Sequence, residues 1–125
     1  MPRNVKVIRG PDFVRARPDG HVDLDAAEAL LEEIAAAGAG LEDFQVLIDI
    51  RQVSGRLEPG ELWRLAEKLA NLRRALGHRT AVLTPLEKFD HTRFFAMCAE
   101  NKGVHVHAFT AYEDAMEWLL AESSS

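Results

Sequence analysis

The chain has 125 residues, 47% apolar and 28% charged, which is the composition of a globular domain rather than of a disordered segment. Its net charge of −5 argues against a nucleic-acid partner, because phosphate binding needs a predominantly basic surface. The single cysteine excludes an internal disulfide, and no stretch approaches the ~18 apolar residues of a membrane span, so we expect a cytoplasmic protein of one domain, residues 1–125.

The N-terminal part of the chain predicts two short strands and a helix. Two β-prone pieces within residues 5–17 are separated by a turn signal, which predicts a hairpin or a pair of edge strands. Asp25 and Glu28 then have the spacing of a capping box. The apolar residues that follow repeat at helical spacing, and the first helix is expected to stop at the glycines Gly38 and Gly40.

The central segment predicts a buried strand, a loop and an amphipathic helix. Residues 44–50 are a near-continuous apolar run, typical of a strand that is buried on both faces. After the loop 51–60, leucines repeat at helical spacing over residues 61–76, with Leu69 at the middle of the apolar stripe. Gly77 stands where a helix-ending glycine is expected.

A third helix follows a second buried strand, predicted over residues 79–83. Its start is ambiguous: Thr84 with Glu87 makes one cap, and Asp90 makes another. Gly103 is expected to end it.

The C-terminal part predicts a strand and a helix. Residues 104–109 alternate like a strand with one less buried face, and Thr110 with Glu113 predicts the capping box of the last helix. Residues 121–125 are expected to fray. The whole order predicts an α/β fold with a mixed, mostly parallel sheet of about four or five strands and about four helices, which cover one face or both.

This order of elements, with the strand VLIDI and the closing pattern HAFTAYEDAMEWL, resembles the STAS superfamily over roughly residues 13–120. More narrowly, the chain resembles small stand-alone STAS-like proteins of bacteria that are compared with CRAL-TRIO lipid-transfer domains. The resemblance implies a regulatory or protein-interaction module on a STAS-like fold.

The superfamily's phosphorylation motif is altered in this chain. In the anti-sigma-factor antagonists, the loop after the central strand carries Asp-Ser-Ser-Gly-Leu, and its second serine is phosphorylated. Counted from Asp49, the motif glycine falls on Gly60, the acceptor serine on Pro59 and the preceding serine on Glu58. Ser54 is the only hydroxyl in the loop and lies five residues before the acceptor position. The resemblance therefore implies a STAS-type module without the phosphorylatable serine.

Polar residues after the two central strands predict one crevice, because ligands gather beyond the carboxyl ends of parallel strands. The basic members would suit a small anion. The interpretation that we favour over such a crevice is that the aspartate bonds loop amides and the basic residues are solvated. The crevice candidates are Asp49, Arg51, Thr84, Lys88, His91 and Arg93.

Other candidate chemistry is weaker. His105 and His107 project from one strand face, but two ligands do not make a metal site, so we expect a polar strand face. Cys98 lies on an apolar helix stripe, where a packing thiol is expected rather than a nucleophile. We therefore predict no catalytic residue, no cofactor and no metal.

The leading hypothesis is a non-enzymatic interaction module that meets an unidentified protein partner through loop 51–60 and the second helix. Trp63 and Trp118 lie at the edges of their helix stripes, which favours a wider core contact or an interface such as a homodimer. The alternative is a carrier that holds a small ligand or lipid between the sheet and its helices. An enzyme is third. Aromatic residues near the expected pocket mouth are Phe89, Phe94 and Phe95.

Overall fold

The computed structural model describes residues 5–8, 13–39, 44–72 and 79–121. Apart from the two-residue strand β5, strands and helices alternate from the first helix onward, as the sequence pattern predicts. The strands are β1 Val5–Ile8, β2 Phe13–Ala16, β3 Gly20–His21, β4 Gln45–Asp49, β5 Val53–Ser54, β6 Thr80–Leu83 and β7 Val106–Phe109. The helices are α1 Leu24–Ala37, α2 Pro59–Asn71, α3 Phe89–Asn101 and α4 Tyr112–Leu120.

One five-stranded sheet organises the fold, in the order β1-β2-β4-β6-β7. β1 pairs antiparallel with β2, and all the other pairs in this sheet are parallel. The predicted mixed, mostly parallel sheet with an N-terminal edge pair is therefore confirmed. A second sheet, which the sequence pattern did not indicate, consists of the two-residue strands β3 and β5 in parallel.

Helices cover both faces of the sheet, which decides the question that the sequence left open. α1, α2 and α3 pack on one face, where Val46 and Ile48 of β4 belong to the larger apolar cluster. α4 packs on the other face, where Leu47 joins Leu83 and Leu119 in a smaller cluster. Since successive side chains of a strand point to opposite faces, β4 is buried on both, as predicted.

The first helix begins earlier than its predicted cap. Asp23 is the N-cap residue, and its Oδ1 accepts a hydrogen bond from the Ala26 amide at 2.8 Å. The expected cap at Asp25 is therefore wrong, since Asp25 lies inside the first turn. Gly38 ends the helix as predicted.

The second helix also begins earlier than predicted, at Pro59. The Glu61 side chain accepts a hydrogen bond from the Glu58 amide at 2.8 Å, which satisfies a free donor at the helix start. The described helix ends at Asn71. The predicted continuation through Gly77 lies outside the described residues.

Neither predicted cap of the third helix is formed. A 3-10 turn, Leu86–Lys88, leads directly into α3. Thr84 is fully buried and accepts a hydrogen bond from the Thr92 hydroxyl at 3.1 Å, so it does not cap the helix. Asp90 lies within the first turn.

The predicted cap of the last helix is wrong as well. α4 begins after Ala111, whose side chain makes no capping hydrogen bond, and Thr110 is exposed. Tyr112, the first helical residue, is 41% exposed. Within the described ranges, no helix is long and apolar enough to cross a membrane.

Candidate functional site

The predicted crevice residues separate into distinct places. Asp49 and Arg51 form an ion pair at the end of β4. Lys88 and His91 line a cavity on the α1–α3 face of the sheet. Arg93 instead lines a groove between α3 and β7. The single crevice that the sequence predicted is therefore not assembled, although each residue lies near the carboxyl ends of the strands or at the start of α3.

The Asp49 carboxylate is buried and held by the residues around it. Arg51 donates to it from Nε at 3.0 Å, from a terminal guanidinium nitrogen at 2.9 Å and from its backbone amide at 3.0 Å. Arg17 lies 3.6 Å away. Burial raises the pKa of Asp49, but the hydrogen bonds and charge of Arg51, with the charge of Arg17, outweigh it and hold the pKa below its ordinary value.

This arrangement matches the interpretation in which Asp49 bonds a loop amide. Both carboxylate oxygens already accept hydrogen bonds from Arg51, so the pair fixes the entrance to the loop. The bidentate fork also holds the guanidinium in one orientation. The Asp49–Arg51 pair therefore serves the loop geometry rather than an open anion site.

An apolar cavity of about 130 Å³ lies between the sheet and the three helices of the larger cluster. Its walls come from α1, β4, β6, α2 and α3, which supply one or more side chains each. The lining includes Ala27, Leu30, Ile48, Leu62, Val82 and Phe95. These residues belong to the core stripes of their elements, so the cavity is a gap inside the core where three helices meet the sheet.

The loop after β4 covers the cavity. Ile50, Val53 and Leu57 face it from this loop. The loop is held from outside by β3, since Val53 and Ser54 pair with Gly20 and His21. Gly55 is needed at the end of this pairing, because its φ is +94° and an added Cβ would lie 2.8 Å from the His21 ring.

A lysine from the start of α3 ties the same loop down from inside. The Lys88 ammonium donates to the carbonyl oxygens of Val53 at 3.0 Å and Gly55 at 2.9 Å. The loop is thus held by one backbone ladder, one side-chain clamp and the packing of Ile50 and Leu57 against the core.

Three nitrogen-bearing side chains line the cavity near the loop after β4. Arg56, Lys88 and His91 all line the cavity. The Nε2 atom of His91 is shielded from solvent and has no hydrogen-bond partner among the described residues. Thr92 is the remaining polar wall residue, and its hydroxyl is bonded to Thr84.

The loop and second-helix residues of the predicted partner surface lie around the cavity cover. Ser54 is exposed in β5. The residues Glu58, Pro59 and Gly60 are exposed at the start of α2. Trp63 is 47% exposed, and the Lys102 ammonium lies 4.3 Å from the centre of its ring. This surface is solvent-accessible, and its partner role stays a prediction.

The histidine pair of the last strand meets one acidic residue. Glu100 lies 3.4 Å from His107 and 3.9 Å from His105. The His107 ring stacks on Trp118 at 4.4 Å between centroids, so Trp118 extends the packing of α4 on β7. Across the part of the chain that the structure describes, no three His, Cys, Asp or Glu side chains form a group that could hold a metal ion.

Sequence reasoning missed the cavity wall and the role of Arg56. The apolar wall residues carry the ordinary signal of core positions, and a gap between such positions has no signature in the sequence. Phe95, one of the three aromatics expected near a pocket mouth, does line the cavity. Phe89 instead lines the groove beside β7, and Phe94 is 41% exposed.

Comparison with known proteins bears on the fold alone. No protein-family model matches the chain, and no curated protein matches it. Among solved structures, it is similar to an uncharacterized protein of the DUF3478 family with a SpoIIAA-like fold from Shewanella loihica PV-4. The two are 20% identical, the match covers 92% of this chain and 91% of that chain, and the TM-score is 0.61. The chain therefore has a SpoIIAA-like fold, as its order of elements predicts.

Proposed function

We propose that this protein binds a small, mainly apolar ligand in the cavity between the sheet and helices α1, α2 and α3. The cavity's size carries the proposal. Protein interiors leave few voids larger than one water molecule. A volume of about 130 Å³ exceeds that by an order of magnitude, at roughly 10–15 Å³ of such space per water. The space is therefore large enough to hold a small molecule.

The lining sets the class of ligand. Its aliphatic and aromatic side chains offer water few hydrogen-bond partners, so an apolar chain fits better than a cluster of waters. A chain on the order of ten heavy atoms matches the space. Each buried methylene contributes about 0.8 kcal/mol, so a chain of about ten contributes on the order of 8 kcal/mol before the cost of association is subtracted.

Filling the cavity tests the proposal through stability. Ala27 lies on α1, is 8% exposed and faces the cavity. In Ala27→Leu, the larger side chain enters empty space, so we expect unchanged stability or a gain of up to about 1 kcal/mol. The free energy of unfolding, from urea titration followed by circular dichroism, measures this effect.

The matched control is the same substitution on the opposite face. Ala115 of α4 is fully buried in the smaller cluster, beside Leu47 and Leu119. Ala115→Leu overpacks that cluster and is expected to cost about 1–3 kcal/mol. Calorimetric titration with decan-1-ol should then show one-site binding to wild type and at least tenfold weaker binding to Ala27→Leu. Equal destabilisation by both substitutions, or unaltered binding in Ala27→Leu, contradicts the proposal.

A second candidate function is protein interaction, with a second copy of this chain as the partner. Within the described ranges, β7 has no neighbour on its outer side. A groove runs between this strand and α3, and Arg93, Met97 and Glu100 line it. Met97 is 56% exposed. Arg93 and Glu100 are two helical turns apart, so a two-fold axis near Met97 would set each arginine opposite the partner copy's glutamate.

Charge reversal tests this self-association. Multi-angle light scattering over a concentration series should show a dimer of wild type, weakened by Arg93→Glu and by Glu100→Arg alone. The double substitution restores the opposite-charge pairs and should restore the dimer. Leu86→Asp, at a 77% exposed position outside the groove, is the control and should leave the dimer intact. A monomer at every concentration, or no rescue in the double variant, removes this candidate.

A further inference from the structure

The cavity wall has an uneven charge for an acidic chain. The sequence holds 20 acidic and 15 basic residues. Arg56 and Lys88 contribute two cations to the wall, His91 adds an imidazole, and none of the lining residues is Asp or Glu. An apolar ligand without a charged group gains nothing from this arrangement. The wall therefore favours a ligand that has a polar or anionic group at the end near these residues.

Lys88 and His91 lie on the same side of one helix start. Lys88 ends the 3-10 turn, and His91 follows three residues later in α3, which places them as neighbours on the helix surface. The Lys88 ammonium gives two of its N–H groups to the Val53 and Gly55 carbonyls. An ammonium has three donors, so one N–H is left for a ligand.

The His91 nitrogen provides the second, independent observation. His91 lines the cavity, and its Nε2 atom is buried and has no partner among the described residues. A buried polar atom without a hydrogen bond is unfavourable, so such atoms in native proteins are nearly always satisfied by a protein group, a water or a ligand. An oxygen between His91 and Lys88 would satisfy the nitrogen once a rotation of the imidazole brings it to the cavity surface.

We infer that the ligand carries an anionic oxygen head group, of which a carboxylate is the simplest, held by His91 and Lys88 while its apolar chain fills the cavity. The inference rests on the proposed function and adds the ligand's charge. Hydrogen bonds to a charged group are stronger than those to a neutral one. The cations of Lys88 and Arg56 favour an anion over an alcohol, although an imidazole N–H alone would donate to either.

Matched probes of one chain length test the head group at neutral pH by calorimetric titration. Decanoate should bind wild type at least about tenfold more tightly than decan-1-ol, and decyltrimethylammonium should bind more weakly than either. In His91→Phe, which keeps a ring but loses the nitrogen, the preference for decanoate should fall severalfold while decan-1-ol binding is kept. Arg64→Met, at an exposed arginine of α2 that lines neither the cavity nor the groove beside β7, is the control and should keep the preference.

The outcomes separate this inference from the proposed function. Equal affinity of wild type for decanoate and decan-1-ol overturns the anionic head group and leaves apolar binding in place. A preference that survives both His91→Phe and Lys88→Met overturns the assigned residues. Binding of neither probe overturns the proposed function and this inference together. The wild-type comparison needs no substitution, so it stands even if a variant folds poorly.

Discussion

Leu69→Ala is expected to destabilise the protein by about 2–5 kcal/mol, the range for deleting a fully buried leucine side chain. Leu69 has no exposed surface and lies on the inner side of α2, within the larger apolar cluster. The destabilisation has two sources. The variant buries less apolar surface, and it leaves a new void among Leu65, Ala66 and their neighbours. Urea unfolding followed by circular dichroism measures the free energy.

The matched control is Leu86→Ala, at a leucine that is 77% exposed. It should change the free energy of unfolding by no more than about 0.5 kcal/mol, because little apolar surface is lost. If both variants unfold at the same urea concentration as wild type, the placement of α2 against the sheet is wrong. An unchanged slope of the unfolding transition would show that the denatured state is comparable.

Gly38→Ala is expected to cost about 1–3 kcal/mol, against the usual benefit of replacing glycine at a helix end. Gly38 has an ordinary negative φ of −83°, so strain in the backbone is not the reason. The reason is contact with Phe44: an added Cβ would lie 2.6 Å from its Cε2 atom and nearer still to Cζ. Phe44 is 3% exposed, so its ring has little room to move away.

Gly60→Ala is the matched control for this glycine effect. Gly60 lies in the first turn of α2, and nothing stands within 4 Å of an added Cβ. Alanine there should be neutral or stabilise the protein by about 0.4–1 kcal/mol, because it reduces the conformational entropy of the unfolded chain. Thermal melts of the two variants should therefore shift in opposite directions. If the Gly38→Ala variant is as stable as wild type, the Phe44 ring moves away from the added Cβ without a loss of stability.

The fold was predictable because its signals are periodic. The apolar run that ends at Asp49 predicted a strand buried on both faces, and β4 is one. Leucines at helical spacing predicted α2, and turn signals in the N-terminal part predicted the β1–β2 pair. Each of these signals arises because apolar side chains are buried, and this burial also stabilises the fold.

Helix starts were predicted poorly, and the reason is local competition for hydrogen bonds. Thr84 and Thr110 both have capping-box spacing, but neither makes a capping bond. Thr84 is instead drawn into the core by its bond to Thr92. At α1, Asp23 and Asp25 are both acceptable caps by residue type, and only the three-dimensional path of the chain selects Asp23.

The candidate site was less predictable than the fold, because a cavity forms where core side chains leave a gap between them. Such a gap has no sequence pattern. Lys88 and His91 were identified from their position after β6, and both do line the cavity. Arg51 and Arg93 were grouped with them on the same argument but lie in other places. The two-residue pairing of β3 with β5, which holds the cover, is too short to leave a periodic signal.

The altered phosphorylation motif is consistent with a different use of the same loop. Pro59, at the acceptor position, is the first residue of α2, where its fixed φ and missing N–H suit a helix start. The loop before it covers an apolar cavity and is clamped by Lys88. The loop that corresponds by sequence resemblance to the phosphorylated loop of anti-sigma-factor antagonists here covers the proposed binding site.

Methyl-group NMR during titration with decan-1-ol tests the binding proposal most directly. Leu30, Ile48 and Val82 line the cavity, while Leu83 and Leu119 lie in the cluster on the opposite face. Binding in the cavity predicts saturable shifts of the first three methyl sets and little change in the other two. Shifts confined to the opposite face, or none up to the solubility of the alcohol, would contradict the proposal.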